Sequence, residues 1–388
     1  MTANRRNIIL VSLSQFASSF SFHFTIVFLP FYLIHISHYS TQQTLLWVGV
    51  IMGSGGVCSA VTAPFWGALT HRFSPKTLFL RAIVANAFLF LFMAFSGSLE
   101  LFLILRTVQG LTGGASTIGF IIISSSSTKD HVAADIGFFQ SFMTLGQLSG
   151  PLLGSLAVLL LGYRGAFISA SIILFASSVF SHVYIRDVPR LPKMERTSRR
   201  MIIDKSVLAA WIISFAADIQ LIFLPSIFPN VFQAFNIEQR TAVKWAGFVV
   251  MLYTATAMIG TYLWGRLATR VGRHRMITFL VTLGILLQIL LAFSHGIVDF
   301  TVIRMLQTGM VAATLPLIIS LFAGESKGSV IGLINSARFA GNAVGPMLAT
   351  SVLAYFNLTS VYFVIAGITF LSLLGFRASF RQTEKGLT

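Results

Sequence analysis

Long apolar runs, separated by short polar or basic clusters, set the pattern of this chain. A membrane-crossing helix needs about 20 mostly apolar residues. On that rule twelve runs qualify, at roughly 8–34, 45–69, 77–95, 99–124, 135–161, 165–184, 206–232, 243–265, 276–294, 298–322, 330–356 and 360–376. Pro30, Pro225 and Pro229 lie near the ends of the first and seventh runs and predict bends there. The first run follows Arg5 and Arg6, is too long for a signal-peptide core and lacks a small-residue cleavage site, so it reads as the first spanning helix. The longest polar stretch is 185–205. It divides the chain into a six-helix bundle over 1–184, a linker over 185–205 and a second six-helix bundle over 206–388. The expected fold is all-α, with twelve transmembrane helices in two pseudo-symmetric bundles.

Composition agrees with the pattern. The chain is 55% hydrophobic and 10% charged, with a mean hydropathy of +0.84. A soluble chain carries about 25% charge, so lipid is the expected solvent. The net charge of +16 would fit a nucleic-acid partner. The placement of the charge points elsewhere. With the N-terminus in the cytoplasm, most of the 27 lysines and arginines fall on the cytoplasmic side. Only Arg164, Arg240 and Lys244 fall outside, and Arg106, Arg304 and Arg338 lie within runs. This bias predicts both termini inside, with basic loops facing anionic lipid head groups and no nucleic-acid module. The single cysteine, Cys58, excludes an intramolecular disulfide.

The two halves repeat. Trp47 and Gly49 recur as Trp245 and Gly247, Trp66-Gly67 as Trp264-Gly265, and Arg106 with Gln109 as Arg304 with Gln307. Gly137, Gly146, Gly150 and Pro151 recur as Gly332, Gly341, Gly345 and Pro346. Phe20–Pro30 recurs as Phe215–Pro225, which sets His23 at the position of Asp218. Parallel six-helix repeats with a site near mid-membrane are a transporter architecture.

These motifs resemble the major facilitator superfamily, in its twelve-helix drug:proton antiporter branch, over nearly the whole chain. The antiporter signature of helix 5 appears as Gly137, Gly146, Gly150, Pro151 and Gly154, with Ser155 replacing the last glycine. The helix 4 motif appears as Arg106, Gln109 and Gly110. The loop motif after helix 2 is degraded to Gly67, Leu69, His71, Arg72, Ser74 and Lys76, with His71 where the family has an aspartate. Histidine also replaces the usual helix 1 aspartate, at His23. The resemblance implies alternating access, with substrate exported and protons imported, in the bacterial cytoplasmic membrane. It implies that Arg106 takes part in proton transfer.

The residues themselves suggest roles. Asp218 stands at mid-membrane depth, while the other acids fit loops, helix ends or tails. A carboxylate there is costly and is a functional hypothesis by default. Asp218 is expected to carry the proton, with His23 assisting; the bland alternative is an Asp218–arginine pair that locks packing. Arg106 must pair or hydrogen-bond, either in proton coupling or to backbone carbonyls or an anionic substrate group. Arg304 is expected to be structural, and Arg338 to belong to the inner gate. Gln15, Phe20, Phe24, Gln109, Gln220 and Arg338 are the candidate cavity residues. The glycines Gly146, Gly150 and Gly154, and Gly341 with Gly345, form small-residue seams for close helix contact, while Pro151 and Pro346 permit bending. A latch altered by His71 and Arg72 beside Gly67 is a further expectation.

Other chemistry finds little support. There is no phosphate-binding G-x4-G-K-[ST] loop, so ATP does not drive the protein. The glycine-rich segment 110–115 reads as helix packing. His35 and His38 lack acidic or cysteine neighbours, so no metal is expected, and no cofactor or nucleophile–base pair stands out. The predicted function is a monomeric, proton-coupled exporter of small hydrophobic or amphipathic compounds, drugs or a metabolite or siderophore, in contact with membrane lipids, and not an enzyme. The alternative is a lipid or lysolipid flippase, or an importer without proton coupling.

Overall fold

The computed structural model describes residues 3–128, 131–189, 204–322 and 328–385. The elements are α1 (Ala3–Ile26), α2 (Leu29–Ile36), α3 (Thr41–Ala68), α4 (Pro75–Ala94), α5 (Leu99–Leu111), α6 (Ala115–Ser126), α7 (Val132–Tyr184), α8 (Lys205–Ile222), α9 (Phe228–Ala234), α10 (Gln239–Val271), α11 (Arg273–Leu290), α12 (Ile297–Val311), α13 (Thr314–Phe322), α14 (Gly328–Tyr355) and α15 (Leu358–Lys385). No strand occurs among the described residues. All twelve predicted runs fall on these helices. Among the described residues, ten stretches are long and apolar enough to cross a membrane. One of them, Ala134–Tyr184, holds two predicted runs. They meet at Gly162, whose φ of 70° and ψ of 175° leave the helix. The predicted linker lies mostly outside the described residues, which stop at Pro189 and resume at Asp204.

The same helices break in both repeats. The first run divides into α1 and α2, with Pro30 at the start of α2. The seventh divides into α8, a 3-10 turn at Leu224–Ile227 and α9, with Pro225 and Pro229 in the first turns. Proline lacks the amide donor that would continue a helix, so it favours starting a new one. The fourth run breaks between α5 and α6, and the tenth between α12 and α13. This corrects the reading of 110–115 as helix interior. The glycines form the break, and Gly114 adopts φ 98°, a left-handed conformation suited to glycine. A Cβ there would stand 3.1 Å from the Trp66 side chain.

The described residues group into two compact units. Unit 1 takes its residues from Met1–His38, Ser54–Arg196 and Val243–Met251, and unit 2 from Tyr39–Gly53, Thr197–Ala242 and Leu252–Thr388. In unit 1, α1 lies on α7 along the predicted glycine seam. A Cβ on Gly146 would sit 2.7 Å from the Phe20 amide nitrogen, and one on Gly150 2.8 Å from the Phe20 carbonyl oxygen. Even a methyl group at these positions would push the helices apart. Asn7 ties the start of α1 to the rest of the unit: it donates to Ser126 Oγ at 3.3 Å and accepts from the Arg186 amide at 2.9 Å. In unit 2, Ile213, Ile277, Leu280, Val281, Ile318, Ile334 and Phe376 form one buried cluster from five helices.

Large apolar side chains also point outward. Leu160 is 82% exposed and Val61 and Phe356 72%. Exposed apolar surface on this scale is unfavourable in water and ordinary in lipid. The chain is an integral, multi-pass membrane protein.

Candidate functional site

Within unit 2, the end of α8 carries Asp218. The side chain is buried, and its Oδ2 has no hydrogen-bond partner among the described residues. Gly341 of α14 makes the space for it, since a Cβ there would stand 2.6 Å from both Cβ and Oδ2 of Asp218. The signature glycine of the second repeat thus forms a notch for a carboxylate as well as a helix seam. Arg338, one turn earlier on α14, is exposed and lies over the ring of Phe339 at 5.8 Å. No hydrogen-bonded ion pair joins it to Asp218 among the described residues. Arg338 thus acts on Asp218 only through space, without the close contact of the acid–arginine pair considered from the sequence.

The equivalent residue in unit 1 is different. His23 is half-buried on α1, and its Nδ1 lies 2.8 Å from the carbonyl oxygen of Ser19 one turn back. A carbonyl only accepts, so Nδ1 carries the proton and Nε2 is an acceptor in the neutral ring. The ring packs edge-on to Phe22, with centroids 5.4 Å apart.

The two repeated arginines also part company. Arg304 on α12 is fully buried and well held. It donates to the carbonyl oxygens of Gln220 and Leu221, both at 2.8 Å, and to Gln307 Oε1 at 2.6 Å. Its guanidinium lies 5.2 Å from the Phe223 ring centroid and 5.0 Å from that of Tyr253. The carbonyls are available because α8 stops at Ile222, where Leu224-Pro225 opens the 3-10 turn. Gln307 continues the network by donating to Gln288, and Gln220 Nε2 donates to Thr369 Oγ1 at 2.9 Å. This agrees with the structural role expected for Arg304. Arg106 on α5 is buried as well, but among the described residues it donates only to Gln109 Oε1, at 2.5 Å. Its Nε, and Gln109 Nε2, have no partner among the described residues.

The remaining candidates are distributed unevenly. Gln15 is buried with an unpartnered Oε1. Phe20 and Phe24 are buried, their rings tilted against one another with centroids 5.4 Å apart, in a ladder running from Phe16 to Phe28. Gln220 belongs to the Arg304 network. Phe20, Phe24 and Gln220 are buried among their neighbours. His71 Nδ1 contacts the carbonyl oxygen of Ala68, Arg72 is exposed, and Gly67 is not crowded by a neighbour. Gly137 is likewise open, whereas Gly154 lies hard against the Phe24 carbonyl. Gly345 sits looser, 3.6 Å from Ile219 Cα for an added Cβ, and both Pro151 and Pro346 lie inside helices, in α7 and α14.

A further cluster escaped the sequence reading. Arg81 lies over the Trp66 ring at 3.3 Å and donates to the Gly113 carbonyl at 2.8 Å, while Trp66 Nε1 donates to the Leu111 carbonyl at 2.8 Å. Lys76 donates to the carbonyl of His182 at 2.7 Å, and its amide to Asp187 at 3.3 Å. These contacts hold the loop region where the usual aspartate is absent. The signal was Arg81 itself, a cation inside the apolar stretch of α4.

Comparison with known proteins fits this geometry. The model of the family described as "Major Facilitator Superfamily" matches residues 11–302 and 207–387. A protein named "Multidrug resistance protein MdtG" from Yersinia enterocolitica is 24% identical over 380 residues, 95% of this chain and 92% of its own. The "Staphyloferrin B transporter" of Staphylococcus aureus is 21% identical over 382 residues, 94% of this chain and 90% of its own. Among solved structures, a bacterial homologue of the human lysosomal transporter Spinster, inward-facing and occupied, superposes with a TM-score of 0.83 at 11% identity, covering 96% of each chain.

Proposed function

The chain belongs to the major facilitator superfamily, and on that premise we propose that it exports small hydrophobic or amphipathic compounds in exchange for protons. That it is a transporter and not an enzyme follows from the family. Export is supported by relatives named for multidrug resistance and for staphyloferrin B transport. The cargo is accordingly a drug-like compound or a metabolite of siderophore type. The preferred setting is the bacterial inner membrane with both termini cytoplasmic, and one chain is the working unit.

The observation that carries the proton role is Asp218. A buried carboxylate with an unpartnered oxygen is unstable as an anion. It is relieved by taking up a proton, and the proton leaves when the site opens to water. The notch at Gly341 keeps the carboxylate in place through both states. His23, at the equivalent position of the other repeat, is the second titratable group of the proposed coupling. Arg338, exposed on α14, marks the gate side of the acid.

The test is transport in vesicles containing purified protein under an imposed pH gradient, with a hydrophobic dye as probe. Wild-type protein should move the dye with the gradient, and Asp218→Asn should bind the dye but lose gradient-driven flux. Equal flux in the variant would remove Asp218 from the mechanism. Lysolipid movement that ignores the gradient would favour the flippase reading instead.

A further inference from the structure

The two repeats place the same Arg-x-x-Gln unit on α5 and α12 and use it in opposite ways. Arg304 has two backbone acceptors and two aromatic faces beside its glutamine, with only Nε unpartnered among the described residues. Arg106 is buried to 3% exposure with one hydrogen bond to a neutral amide. No carboxylate pairs with it among the described residues. A guanidinium held this way bears a desolvation cost that one amide oxygen does not offset.

The surrounding atoms define what would offset it. Arginine has only donors, so Gln109 must turn its oxygen toward Arg106. That choice leaves Gln109 Nε2 as a second donor without an acceptor. Arg106 Nε likewise has no partner among the described residues, where the guanidinium's hydrogen bond is the one from Nη1 to Gln109. On its Nη2 side the guanidinium faces Gly55, where the missing side chain leaves the room of a methyl group: a Cβ there would lie in ordinary contact with Nη2, at 3.8 Å. The Phe22 ring lies 5.3 Å from Arg106 Cζ and is 37% exposed. The cluster is therefore donor-only, cationic, free of side-chain bulk on one side and flanked by an aromatic face.

We propose that Arg106, Gln109 and Phe22 form a subsite for an organic anion, in which a carboxylate or similar oxyanion of the cargo accepts from Arg106 and Gln109 while its apolar body lies against Phe22. This rests on the transporter reading and narrows its substrate class to amphipathic acids. The guanidinium fork matches two carboxylate oxygens, and such charge-assisted bonds are stronger than neutral ones. Burial makes the attraction selective, because a neutral analogue leaves the cation as poorly compensated as before.

The experiment uses full-length protein purified in detergent, with 2-naphthoate and 2-naphthamide as matched probes that share one ring system. Equilibrium dialysis should show naphthoate binding about tenfold more tightly than naphthamide, the value of one charge-assisted hydrogen bond. Arg106→Gln should reduce this preference to near unity, and Arg106→Lys should keep part of it. Thermal unfolding separates a site from a strut: a binding role predicts that Arg106→Gln unfolds near the wild-type temperature but is no longer stabilised by naphthoate. If Arg106→Gln does not fold, the wild-type preference and its reduction in Arg106→Lys decide the matter. Equal affinity for the two probes, binding of neither, or a full preference surviving in a folded Arg106→Gln protein would overturn the assignment. Flux of both probes into vesicles is measured in parallel. A naphthoate preference without any flux would refute the transport reading and leave the subsite standing, whereas flux without preference would do the reverse.

Discussion

One glycine separates two possible fates for Asp218. Gly341 leaves the carboxylate a place between α8 and α14 where any side chain would collide with it. Gly341→Val should therefore displace Asp218 and cost about 1–3 kcal/mol through overpacking. A fall in the thermal midpoint together with loss of pH-gradient-driven dye flux is the expected result. Retention of coupled flux would show that the notch is not needed. The burial of Asp218 was legible in the sequence because a lone acid in an apolar run is conspicuous. The notch was not, because the glycine pattern signals close helix contact without saying which side chain occupies the gap. That Arg106 and Arg304 would differ was expected from the sequence, but the partners that distinguish them were hidden, because they are backbone carbonyls.

Helix breaks decide where those carbonyls appear. The 3-10 turn after α8 exposes the Gln220 and Leu221 oxygens, and Arg304 clasps them to α12. Replacing Arg304 by leucine should leave these acceptors and Gln307 unpaired. A loss of about 1–3 kcal/mol per stranded buried group is the usual scale, so a markedly lower unfolding temperature is expected. Probe selectivity should remain, and a change in selectivity without loss of stability would reverse the assignment of Arg304 as a strut. Pro225 and Pro229 made the bend after α8 readable in advance, as Pro30 did for α2. The break at Gly114 was missed because Thr112, Gly113 and Gly114 sit amid apolar residues, and periodicity alone does not show a change to positive φ. The α1–α7 seam was predictable, because glycines spaced by four repeat on one helix face.

At the scale of the whole chain, charge placement governs orientation. Most basic residues gather in loops on one predicted side, with Arg164, Arg240 and Lys244 on the other. This predicts that reporters fused at either terminus will be protected in right-side-out vesicles and accessible in inverted ones. Accessibility of both termini from outside would invert the proposed orientation. The repeat, the twelve runs and the family were all visible in sequence, because each extends over tens of residues and survives local substitution. The wiring of polar side chains depends on ångström distances and was not.

Gly162 has a practical consequence. Two long membrane helices meet there across one residue, with φ 70°, as α10 and α11 do across Gly272 at φ 97°. Almost no polypeptide is available at that vertex for a protease, an antibody or an inserted epitope to grip. A tag placed there would have to unwind one helix or the other, so surface labelling of this protein belongs at other turns.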